Sequence, residues 1–117
     1  MPLLAHLLVA VVALLHVYFL VLEMFLWTKP LGLKTFRNTP EKAETTRVLA
    51  ANQGLSTGVL AAGLGWSAAT GRNDVVLFFL GCVVVAALYG AYSVSKRIFF
   101  VQGVPAIAAI VAVIATV

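Results

Sequence analysis

The chain has 117 residues, of which 62% are hydrophobic and 10% charged, and its mean hydropathy is +1.06. A soluble domain carries about 25% charged residues, and a body this small has too little interior to hide so much hydrocarbon from water. A soluble enzyme, a nucleic-acid binder and a disordered tail are therefore excluded, and the formal net charge of +4 is a matter of membrane topology.

The first apolar stretch covers residues 2–27. No Lys or Arg precedes Lys29, and the run is longer than the apolar region of a signal peptide, so it is expected to stay as a spanning helix. About 20 apolar residues cross a bilayer as a helix, and three further stretches qualify, at about 48–70, 75–95 and 98–117. The polar segment 28–46, with its Pro, Gly, Asn and Thr, reads as loop, and Thr39-Pro40-Glu41 as the start of a short helix leading into the second span. Residues 71–74 read as a tight turn. The expected fold is all-α: a polytopic four-transmembrane-helix bundle in one domain, with 28–47 as its long cytoplasmic loop.

Short cytoplasmic loops collect Lys and Arg. Lys29, Lys34, Arg37, Lys42 and Arg47 lie between spans one and two, and Lys96 and Arg97 between spans three and four, whereas Arg72 lies opposite. Both termini are accordingly expected outside, with Trp27 and Trp66 as interfacial aromatics. Small residues four apart, Gly54–Gly58 foremost, let helices approach closely. They fit packing within one bundle, with a homo-oligomeric seam as the alternative.

Ionisable groups inside spans are costly and mark candidate sites. His16 and Glu23, seven residues apart, share one face of the first span and could act as a proton donor and acceptor or relay. At 1.5 Å per residue, Glu23, Asn52, Gln53, Tyr89, Tyr92 and Gln102 all fall about 6 to 10 Å from the cytoplasmic end of their spans. This depth match predicts a ligand-binding layer open inward and sealed outward. A hydrogen-bonded lock that fixes helix rotation is the structural alternative. Pro105, with Gly103 beside it, should free the carbonyl of Val101 and kink the fourth span. The lone Cys82 excludes a disulfide framework, and His6 with His16 lacks metal-ligand spacing, so no metal is expected. The sequence specifies no cofactor.

The blocks LEMFLW (Leu22–Trp27), ANQGL (Ala51–Leu55), LAAG (Leu60–Gly63), YGA (Tyr89–Ala91) and VQGVPA (Val101–Ala106) resemble a family of small bacterial four-span membrane proteins, domain of unknown function 1304. The resemblance covers essentially the whole chain. It implies a bacterial cytoplasmic membrane location and matching positions at His16, Glu23, Asn52, Gln53, Tyr89 and Gln102. Ser56 and Thr57 depart from it, standing where the family pattern carries Tyr and Asn. The resemblance implies no activity.

Three functions fit these residues. A cytoplasm-facing pocket would bind, or transform, a small lipophilic molecule with Glu23 and His16 as acid and base. A proton-coupled exporter would resemble the small multidrug resistance transporters in length and first-span glutamate, an analogy of architecture only. A structural or accessory subunit would use the polar layer for packing alone.

Overall fold

The computed structural model describes residues 2–93 and 96–116. They form helices α1 (Leu3–Met24), α2 (Pro30–Phe36), α3 (Pro40–Ala69) and α4 (Asn73–Ser93), then α5 (Lys96–Ala115); no strand occurs among the described residues. The expected span ends at Ser95 and Val117 lie outside the described residues. Three helices, α1, α4 and α5, are long and apolar enough to cross a membrane. At 30 residues α3 is longer than any of them, but Asn52, Gln53, Ser56 and Thr57 dilute its apolar face, and its first turns hold Glu41, Lys42, Glu44 and Arg47.

The chain divides into two compact units: His16–Val59, and Met1–Leu15 with Leu60–Val117. In the first unit, the segment read as loop from sequence is largely helical. Both Phe25 and Leu26 donate their N–H to the Val21 carbonyl, at 3.0 and 3.2 Å, which closes α1. Pro30 then opens α2 at its first position, where its missing N–H costs nothing. Arg37 adopts the left-handed region, φ 52°. Asn38 N–H reaches the Leu33 carbonyl at 2.9 Å and Arg37 N–H the Lys34 carbonyl at 3.4 Å, a Schellman closure. Two residues later α3 begins: the Thr39 hydroxyl accepts the Lys42 N–H at 3.2 Å, with Pro40 and Glu41 in the first turn, as an N-cap requires. The helix that starts here continues unbroken to Ala69 instead of ending as a short lead-in.

Composition misled at 28–46 because its Gly and Pro serve helices. Pro30 and Pro40 start them, and Gly32 is buried where a Cβ would collide with the Leu26 carbonyl. Trp27 ties the segment together. Its Nε1 donates to Thr46 Oγ1 at 3.1 Å, Thr46 donates onward to the Lys42 carbonyl at 2.8 Å, and the indole lies 4.9 Å from the Phe36 ring.

The second unit is built on an apolar core. Ala5, Val9 and Val12 of α1, Leu64 of α3, Val76, Leu80 and Val83 of α4, and Ala106, Ala109 and Val113 of α5 are all buried. The spacing of three, four and seven within α1, α4 and α5 is that of a single buried stripe on each. Gly63 lets α3 meet α4: a Cβ there would stand 2.5 Å from Phe79 Cζ. Ser67 is fully buried and donates back to the Gly63 carbonyl at 2.8 Å, so its hydroxyl is satisfied within its own helix. The turn into α4 repeats the Schellman pattern with the residue it favours, Gly71 at φ 72°, and Arg72 N–H bonds the Ser67 carbonyl at 2.9 Å.

Within α5, Phe99–Gly103 is a π turn in which Val104 N–H bonds the Phe99 carbonyl. It ends at Gly103, two residues before Pro105, which has no N–H to contribute. The irregularity expected at Pro105 therefore takes the form of one wide turn, a feature often found at functional positions.

Candidate functional site: an acid and a hydroxyl on α1 and α3

Gly54 and Gly58 of α3 face α1 within the His16–Val59 unit. A Cβ on Gly54 would come 2.6 Å from Met24 Cγ, 3.1 Å from Glu23 Cβ and 3.3 Å from the Leu20 carbonyl, and one on Gly58 would strike Leu20 Cδ1. The two glycines thus remove the side chains that would hold the helices apart. Thr57 lies on the same face, three residues after Gly54 and one before Gly58. It is buried, with its hydroxyl 2.9 Å from the Gln53 carbonyl and 3.5 Å from Glu23 Oε1.

Glu23 is half-buried in the last turn of α1. Among the described residues the ion pairs are Arg47–Glu44 and Arg72–Asp74, at 3.4 Å each, and Glu23 takes part in neither. Its partner is the Thr57 hydroxyl. Two turns earlier on α1, His16 is buried to 1% exposure, with its ring edge-on to Phe19 at 5.7 Å. Asn52 and Gln53, one turn before Thr57, are exposed.

The remaining predicted residues belong to the other unit. Tyr89 and Tyr92 are exposed on α4, at 69% and 89%, and the Tyr89 carbonyl accepts the Ser93 hydroxyl at 2.7 Å. Gln102 is half-buried inside the π turn. Among the described residues no group of His, Cys, Asp and Glu could hold a metal ion.

Thr57 is the residue that depth counting from sequence missed. Read from sequence, the polar layer takes in its neighbours Asn52 and Gln53 and gives Thr57 no place. The usable signal was the glycine pair itself: a hydroxyl at the i+3 position of a Gly-x-x-x-Gly face points the way the glycines do.

Three helices long and apolar enough to cross a membrane are the mark of a helical membrane protein, and in this one a carboxyl of α1 meets a hydroxyl of α3. Residues 10–114 match the family described as Protein of unknown function (DUF1304), and the chain belongs to that family. No curated protein and no solved structure matches it.

Proposed function

We propose that this protein crosses the bacterial cytoplasmic membrane four times and binds a small lipophilic molecule at Glu23, with the carboxyl and the Thr57 hydroxyl holding the ligand's polar group. The observation that carries the reading is the Glu23–Thr57 contact. An acidic side chain at the end of an apolar helix is retained at considerable cost, and here its partner is a neutral hydroxyl. A ligand with N–H or O–H donors supplies what that hydroxyl supplies only in part.

The fourth crossing is α3, which at 1.5 Å per residue is about 45 Å long and exceeds a hydrocarbon core of about 30 Å. The positions of Lys29, Lys34, Arg37, Lys42, Arg47, Lys96 and Arg97 favour a cytoplasmic side for their segments and both termini outside. Asn52 and Gln53 are the exposed amides that would receive the ligand's outer polar atoms, and His16 is the second titratable group on α1.

The test uses a photoactivatable diazirine alkylamine as probe. Labelling of the purified chain should fall on residues 20–24 and 54–58 and be lost in Glu23→Gln, while Glu23→Gln unfolds near the wild-type temperature. Equal labelling of wild type and Glu23→Gln would overturn the reading. In proteoliposomes, accumulation of the amine driven by a pH gradient would place the site in a transporter, and its absence would leave a binding site.

A further inference from the structure

Far from Glu23 in sequence, Leu88 and Ala91 of α4 and Lys96, Phe99 and Phe100 of α5 line a pocket of about 250 Å³. It falls below the roughly 300–1,000 Å³ typical of sites that enclose a whole small molecule, so it suits part of a chain-like ligand better than a compact one. Four of its five lining residues are apolar, and Leu88 and Phe100 are more than half exposed. The π turn shapes its wall. Phe99 lies against Gly103, whose Cβ would come 2.9 Å from Phe99 Cδ2 and 3.1 Å from Ala87 Cβ. The Phe100 ring stands edge-on to that of Phe99, with centroids 6.0 Å apart and planes at 79°.

The one charged lining residue is Lys96, which is exposed. Its unit holds a single acidic side chain, Asp74, which pairs with Arg72 at the opposite end of α4. Among the described residues Lys96 makes no ion pair, so an exposed ammonium stands in the lining of an otherwise apolar slot. That is charge complementarity for an anionic headgroup whose hydrocarbon continues into the slot, the arrangement by which basic pockets between membrane helices hold acidic lipids. A second copy of the chain fits less well, because a two-fold contact sets a patch against itself and would bring Lys96 towards Lys96.

We propose that this pocket binds one anionic phospholipid, with the phosphate on the Lys96 ammonium and an acyl chain along Leu88, Ala91, Phe99 and Phe100. The site is independent of the Glu23 reading. The test is native mass spectrometry of the full chain titrated with dioleoylphosphatidylglycerol and, separately, dioleoylphosphatidylcholine. Wild type should bind one phosphatidylglycerol in preference to phosphatidylcholine. Lys96→Gln should weaken phosphatidylglycerol about fivefold, the effect of about one basic residue at a lipid surface, and leave phosphatidylcholine unchanged. Phe100→Ala should weaken both lipids, and Lys96→Arg should restore the preference. Equal affinity for the two lipids in wild type, or an unaltered preference in Lys96→Gln, would overturn the proposal. So would efficient intermolecular crosslinking of Ala91→Cys in a Cys82→Ala background in phosphatidylglycerol bilayers, because a second copy would then occupy the pocket.

Discussion

Thr57 stands between two acceptors: its hydroxyl oxygen is 2.9 Å from the Gln53 carbonyl and 3.5 Å from Glu23 Oε1. A hydroxyl has one proton, and the shorter contact holds it more strongly. Thr57 can therefore donate fully to Glu23 only by releasing a carbonyl of its own helix.

That competition separates two substitutions. Thr57→Val keeps the shape and removes the hydroxyl, leaving a half-buried carboxyl without its partner, at a cost of about 1–3 kcal/mol. Thr57→Ser keeps the hydroxyl and should stay within about 1 kcal/mol of wild type. Thermal unfolding in detergent checks both, and in a Glu23→Gln background the penalty of Thr57→Val should shrink.

The glycines of α3 should respond to alanine in opposite directions. At Gly54 the new methyl meets Met24 Cγ at 2.6 Å, Glu23 Cβ at 3.1 Å and the Leu20 carbonyl at 3.3 Å, so Gly54→Ala should destabilise by about 1–3 kcal/mol through overpacking. Gly65 has nothing within 4 Å. Gly65→Ala should then gain up to about 1 kcal/mol from helix propensity alone. Comparing the two unfolding midpoints reads the difference directly.

The two Schellman closures differ in their left-handed residue, Arg37 at φ 52° and Gly71 at φ 72°. A side chain in that region costs about 1–2 kcal/mol. Gly71→Ala should therefore lower stability by about 1 kcal/mol, and Arg37→Gly should raise it by a similar amount. Chemical denaturation in mixed micelles gives both values.

Trp27 and Thr46 make one side-chain hydrogen bond, at 3.1 Å. Trp27→Phe and Thr46→Val should each cost about 0.5–1.5 kcal/mol. The double variant should cost less than their sum, because residues in contact share one interaction. A double-mutant cycle on thermal unfolding measures that coupling.

Much of this architecture was legible in the residues because apolar length is a strong signal. The runs that became α1, α4 and α5, the Thr39–Glu41 helix start and the disturbance at Pro105 all follow from side-chain polarity and backbone chemistry. The polar stretch was harder. Its helices are a seven-residue one and the polar start of a long one, and they are braced by tertiary contacts such as Gly32 on Leu26 and Trp27 on Thr46, which leave no periodicity to count. At the site, Glu23 stood out because a carboxylate in an apolar run is conspicuous, whereas Thr57 did not, because a threonine is unremarked until its neighbouring glycines bring another helix against it. Asn52 and Gln53 stood out by polarity alone, and their side chains are exposed.

The continuity of α3 has a mechanical side. Seventeen residues separate Pro40 from Thr57, about 26 Å of unbroken helix at 1.5 Å per residue, with no proline in between to act as a joint. A push or pull on the hydrophilic start of this rod, where Trp27 grips Thr46, is delivered along the shaft to the oxygen that faces Glu23. The charged end of α3 is in that sense a handle on a buried hydroxyl.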